Sequence, residues 1–168
     1  ILRSLGVPAT IFLSTGYIGT RTPFWFDKVA RLFAQAPPGR VALVTVPFEA
    51  TLQDLQSRRL AAENLLGLLK RIANPRRLDC LAELDQRLSK PSDASDREQP
   101  FALSWPQVRE MASAGIEFGS HTVSHPILTQ LDDAQLHEEL ANSRQAIATM
   151  GGLAADVIAY PVGKRFAF

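Results

Sequence analysis

The chain is predicted to adopt an α/β fold with parallel strands, and three observations carry that prediction. Helical periodicity alternates with short apolar strands at both ends of the chain. The strands run out into turns rich in glycine, proline, serine and threonine. Two helices open on reciprocal caps, Ser104 with Gln107 and Asp132 with Gln135.

Taken in order, Ile1-Leu2-Arg3-Ser4-Leu5-Gly6 reads as a helix end with glycine just past it. No N-cap precedes it, so that helix is expected to begin before residue 1. Val7-Pro8 turns the chain, and residues 9–13 form an apolar strand expected to be buried on both faces. Thr22-Pro23 opens a helix whose apolar positions, Trp25, Phe26, Val29, Leu32 and Phe33, repeat at helical spacing. Trp25 and Phe26 have aromatic faces that suit a pyranose ring, but their spacing predicts core packing. Pro37-Pro38-Gly39 ends this helix, and residues 41–46 read as a strand or hairpin arm.

Thr51 with Asp54 is expected to cap a long helix to about residue 73, with Leu52, Leu55, Leu65, Leu69 and Ile72 as its stripe. Asn74-Pro75 then supplies an N-cap and a first-turn proline for a helix carrying Leu78, Leu81, Leu84 and Leu88. Arg58, Arg59, Lys70, Arg71, Arg76 and Arg77 make this region basic and read as a solvated face. Residues 89–100 are polar and read as a mobile loop. The helix capped by Ser104 buries Val108 and Met111 and stops at Gly115. A strand is expected over 116–118. The helix capped by Asp132 runs through Leu136, Leu140, Ile147 and Met150 to Gly151-Gly152. His137 lies on it beside Glu138 and Glu139 and reads as a surface residue. Residues 156–160 read as the last strand, ending at Pro161.

The length of 168 residues, 46% of them hydrophobic, suits one globular domain with a sizeable core. A net charge of +1 gives no reason to expect a nucleic acid or an acidic membrane as partner. A single cysteine, Cys80, excludes an intramolecular disulfide and a cysteine-based zinc cluster. No apolar run approaches the roughly 20 residues of a membrane span, so membrane association is not indicated. No signal peptide is visible, and with Ile rather than Met at position 1 the compartment is left unknown.

The chemistry-bearing stretch is Gly119-Ser120-His121-Thr122-Val123-Ser124-His125-Pro126. Two of the three histidines stand here, four residues apart. If the segment turns helically, both imidazoles share a face and suit one metal ion. The zincin motif has this spacing but needs Glu after the first His, where this chain has Thr122.

This run resembles the His-Ser/Thr-x-x-His metal motif of the polysaccharide deacetylases, the NodB-homology enzymes of carbohydrate esterase family 4. Leu5-Gly6-Val7-Pro8-Ala9-Thr10-Ile11-Phe12-Leu13 looks like that family's second strand with its leading turn. Ile158-Ala159-Tyr160-Pro161-Val162-Gly163 looks like its third motif in a variant form. The resemblance covers roughly residues 1–19 and 101–168. It implies part of a deformed (β/α) barrel of the NodB type, with a helical insertion over about 20–100, the whole of 1–168 being one partial domain.

The resemblance also implies an activity: metal-dependent removal of N-acetyl groups, in some members O-acetyl groups, from a carbohydrate or polysaccharide. His121 and His125 carry over as metal ligands. The divalent ion is expected to be zinc, with cobalt and nickel also served by two imidazoles and a carboxylate. The backbone N–H of Val162 carries over as an oxyanion donor. Thr122, Ser124, Tyr160, Pro161 and Gly163 carry over as residues that shape the motifs. A backbone or side-chain partner fixing each imidazole tautomer is expected but not named.

Three departures stand out. The family's Thr-Phe-Asp-Asp motif supplies the general-base Asp and the third ligand, and this chain has no match to it. The Arg that normally steadies that base corresponds to Ala159. The acidic and Leu-x-His motifs would follow Phe168, and His137 cannot replace the latter because it precedes the third motif. The chain is therefore expected to be a fragment, inactive alone. Two other readings stay open: a non-catalytic glycan-binding module on the same fold, and a metal-dependent hydrolase of non-sugar amides.

Overall fold

A computed structural model describes residues 2–89 and 102–162. In chain order the elements are β1 (Ala9–Leu13), α1 (Trp25–Gln35), β2 (Gly39–Leu43), β3 (Phe48–Leu52), α2 (Leu55–Leu69), α3 (Asn74–Leu88), α4 (Trp105–Ser113), β4 (Ile116–Ser120) and α5 (Asp133–Ala146). They fall into two compact units, Ile1–Thr22 with Gln99–Phe168, and Pro23–Glu98. The polar stretch expected to be a mobile loop lies outside the described residues apart from Ser89.

In the first unit β1 and β4 run parallel, in register from Ala9 opposite Ile116 to Leu13 opposite Ser120. Leu13 and Phe118 meet Val108 of α4, Ile147 and Ala155 in a buried core. Both expected capping boxes form. The Ser104 N–H donates to Gln107 at 2.8 Å, and the Gln135 N–H donates to Asp132 at 2.8 Å. Each box satisfies donors that the first helical turn cannot pair internally. After α5 the chain widens into a π turn over Ile147–Gly151, closed by Gly152 in the left-handed region at φ 69°.

Three sequence expectations change in this unit. Residues 3–5 make one 3₁₀ turn, closed by Gly6 at φ 64°. Strand β1 is buried on one face only, with Thr10 and Phe12 exposed. The Phe12 ring lies across Gly119, where any added Cβ would come within 2.7 Å of it. The strand expected at 156–160 is reduced to a single parallel bridge between Ser120 and Ile158. Both of its hydrogen bonds use Ser120, whose N–H donates to Val157 and whose carbonyl accepts from Ala159, each at 2.9 Å.

The second unit packs α1, α2 and α3 with a β2–β3 hairpin that runs antiparallel from Gly39 opposite Leu52 to Leu43 opposite Phe48. Phe33, Leu52, Leu65, Leu69, Leu84 and Val29 are its largest fully buried side chains. The long helix expected from Thr51 is corrected. Phe48 and Leu52 alternate inward as a strand, so Thr51 belongs to β3. Asp54 caps α2 with Ser57 as its reciprocal partner. The cap of α3 shifts by one residue to Ala73, with Asn74 and Pro75 in the first turn.

The basic face is also not uniformly solvated. Arg77 is buried, with its guanidinium carbon 5.1 Å from the centre of the Trp25 ring, and it donates to Asn74. Arg76 donates from Nε to the Thr45 carbonyl at 2.8 Å. Trp25 is buried and Phe26 packs against the same core, as their helical spacing predicts.

Glu83 of α3 holds the hairpin turn. Its carboxylate accepts the Val44 N–H at 2.9 Å, the Thr45 N–H at 3.0 Å and the Thr45 hydroxyl at 2.8 Å. The Thr45 N–H above all, with Val44, the Thr45 hydroxyl and Arg87, lowers its pKa to about 2. Folding therefore favours the ionised form. The stabilisation is complete above the ordinary glutamate value of 4.5 and is lost as pH falls toward 2. Glu83→Ala is expected to lower stability by about 2 kcal/mol at neutral pH, since it strands charge-assisted hydrogen-bond donors. Denaturant titrations should also show wild type losing stability between those pH values more steeply than Glu83→Gln.

Candidate metal centre

The histidine loop begins where β4 ends. The rings of His121 and His125 stand with centroids 4.7 Å apart and planes at 80°. Proximity is as the spacing predicts, but no helical turn produces it. Thr122 and His125 both adopt left-handed backbone, at φ 68° and 57°. That conformation costs about 1–2 kcal/mol for a residue with a Cβ. Here the Thr122 hydroxyl replaces a helical carbonyl, accepting the His125 N–H at 3.1 Å and donating to the His121 carbonyl at 2.5 Å.

Two flanking segments hold this loop. From the segment after β1, the Thr15 N–H donates to the Thr122 carbonyl at 3.0 Å and the Gly16 N–H to the Val123 carbonyl at 2.9 Å. Ser14 donates to the His121 carbonyl at 3.1 Å, and the Tyr17 hydroxyl to the Ser124 carbonyl at 3.3 Å. The approach at Gly16 is close, for a Cβ there would lie 2.9 Å from the Val123 oxygen.

From α5, one oxygen of Glu139 accepts the Val123 N–H at 2.7 Å and the Ser124 N–H at 2.9 Å, and the other accepts the Ser124 hydroxyl. Beneath them runs a buried chain of hydroxyls. The Thr122 N–H donates to Ser120 at 3.1 Å, and the Ser120 and Ser143 hydroxyls meet at 2.7 Å. Ser143 spends its single proton on the Leu140 carbonyl at 3.0 Å, so Ser120 must be the donor to Ser143.

His121 is oriented through its backbone and its ring. Its N–H donates to the Leu13 carbonyl at 2.9 Å, and Nδ1 lies 2.8 Å from the Ala159 carbonyl. A carbonyl only accepts, so Nδ1 carries the proton and Nε2 of the neutral ring keeps its lone pair. That contact names the tautomer-fixing partner which sequence alone left unnamed. It also gives position 159 a role that is carried by its backbone and not by its side chain.

As a donor set, two imidazoles set edge to face suit a divalent ion when their rings are neutral. Among the described residues no third His, Cys, Asp or Glu joins them. His137 is exposed on α5, as expected. Tyr160 is exposed, Pro161 and Val162 are half-buried, and Gly163 lies outside the described residues.

Glu139, Ser143, Ser120, Ser14 and Tyr17 were not singled out by sequence reasoning. The first two carry a readable signal. Leu136, Glu139, Ser143 and Ile147 follow one helical stripe, so two polar residues occupy the phase of a buried face.

The sequence model of the family described as Polysaccharide deacetylase matches residues 1–167. Gellan lyase of Bacillus sp is 45% identical over 56 residues, which is 33% of this chain and 2% of that protein. The polysaccharide deacetylase homologue YxkH of Bacillus subtilis (strain 168) is 37% identical over 62 residues, 37% of this chain and 22% of that protein. Among solved structures, Streptococcus pyogenes deacetylase PplD in complex with acetate is 32% identical, over 38% of this chain and 28% of that one, with a TM-score of 0.36. The match to the family model, over nearly all of the sequence including the histidine loop, establishes that the chain belongs to the polysaccharide deacetylase family.

Proposed function

We propose that the chain provides the two-histidine metal site of a hydrolase that removes N-acetyl groups, and in some substrates O-acetyl groups, from a carbohydrate or polysaccharide. The observation that carries this reading is the paired rings of His121 and His125, with the His121 tautomer set by the Ala159 carbonyl. Family membership supports the reaction class, and two relatives named for polysaccharide chemistry support a carbohydrate substrate.

The parallel strands β1 and β4 carry the histidine loop at their C-terminal end, where barrel enzymes gather their chemistry. That supports reading the first unit as part of a deformed (β/α) barrel of the NodB type, with residues about 20–100 as a helical insertion. A bound divalent ion, zinc first, would polarise the acyl carbonyl and acidify a water. The protein's own residues bind and orient. His121 and His125 offer ring nitrogens. Thr122 ties the two histidines together through its hydroxyl. The Val162 N–H donates to the developing oxyanion, with Pro161 shaping that turn. One such donor contributes on the order of 10²–10³ in rate. The general base is a carboxylate beyond this set, and its stabiliser is something other than the side chain at Ala159.

The test follows acetate release from N-acetylated oligosaccharides by the protein in its full reading frame, with and without a chelator. Release is expected to depend on metal and to fall at least 10²-fold in His121→Ala. The 168-residue chain alone is expected to release none. Absence of release across a range of glycans, despite stoichiometric metal, would favour a glycan-binding module or a hydrolase of non-sugar amides. Gly16→Ala is a separate prediction. Its methyl group would press the Val123 carbonyl outward. Metal affinity, read by competition with a chromophoric chelator, should drop roughly tenfold, as it does when groups supporting ligands are disturbed.

A further inference from the structure

We infer that Glu139 is a positioning residue for the histidine pair, acting through the backbone of the loop between them. The inference rests on the two-histidine site proposed above. The carboxylate leaves α5 sideways and takes three donors from two consecutive loop residues, Val123 and Ser124. These are the residues between Thr122 and His125, the two left-handed positions. Their N–H groups have no helical or sheet acceptor, since the loop is neither. A carboxylate suits this place because an ionised acceptor makes hydrogen bonds about twice as strong as a neutral one.

The geometry also separates this role from simple helix stability. Helix α5 has its own capping box at Asp132 and Gln135, and its buried end at Ile147 packs into the core. Each hydrogen bond described for the Glu139 side chain goes to the loop rather than to α5. Ser143, one turn further along the helix, anchors the same loop through Ser120 and the Thr122 N–H. Helix α5 thus grips the loop at two points, one charged and one through neutral hydroxyls. The loop keeps its two strained residues, and the rings stay facing, because both points hold.

The experiment compares wild type, Glu139→Ala and Glu139→Gln in the full-length protein, with three readouts. Zinc affinity is measured by chelator competition. Amide exchange is measured at Val123 and Ser124, and the His121 ring tautomer is read by nitrogen NMR, both without metal. Glu139→Ala is expected to weaken zinc binding 10–100-fold. It should also remove exchange protection at both amides, with a loss of stability comparable to that of Glu83→Ala. Glu139→Gln, with one amide oxygen still able to accept, should fall between wild type and Glu139→Ala. Should Glu139→Ala fail to fold, Glu139→Gln decides by the same readouts. Equal zinc affinity and equal amide protection in variant and wild type would overturn the positioning role. Wild type that binds no zinc would instead overturn the metal-site reading, and the metal-free exchange and tautomer data would then decide the role of Glu139 alone.

Discussion

Hydrogen bonds to loop backbone hold the candidate site together. The segment from His121 to His125 places two residues with Cβ atoms in the left-handed region, a shape it would not keep in isolation. Its N–H groups go to Leu13, Ser120, Glu139 and Thr122, and its carbonyls accept from Ser14, Thr15, Gly16 and Tyr17. Backbone groups turned from water need such partners, and here Glu139 of α5 supplies them for the Val123 and Ser124 N–H groups. The facing of the two imidazoles follows from this satisfied backbone.

The same logic explains why the loop sits where it does. Pairing of β1 with β4 brings the Leu13 carbonyl to the His121 N–H and lays the segment after β1 against the loop. The single bridge at Ile158 then carries the Ala159 carbonyl to the His121 ring. Three segments far apart in sequence thereby meet at one end of a short parallel sheet. The last of these segments contributes backbone groups of residue 159, so the arrangement tolerates alanine there.

The second unit uses a similar device for a different end. Glu83 satisfies the turn of the β2–β3 hairpin much as Glu139 satisfies the histidine loop. In both places a helical carboxylate collects N–H groups that no regular element can pair. Arg77 shows the complementary case, a cation drawn beneath an aromatic ring and joined to Asn74 instead of facing solvent.

Local chemistry was legible in the sequence. The caps at Ser104 and Asp132, the core stripe from Trp25 to Phe33 and the proximity of His121 and His125 each depend on residues a few positions apart. The α/β alternation with parallel strands was legible for the same reason. What spacing could not decide was the form of the histidine segment, a loop instead of a helical turn, because its preference is outweighed by hydrogen bonds from α5 and the end of β1. Nor could it place Thr51, where inward alternation of Phe48 and Leu52 beneath the helices selects a strand over a cap. The burial of Arg77, the shrinking of the last strand to one bridge and the tasks of Glu139, Ser143 and the Ala159 carbonyl all rest on partners distant in sequence. Sequence alone determined which residue types could bind a metal and where α4 and α5 begin. Tertiary structure decided which backbone groups hold those residues in place, because a carbonyl or N–H is the same at every position until folding gives it a neighbour.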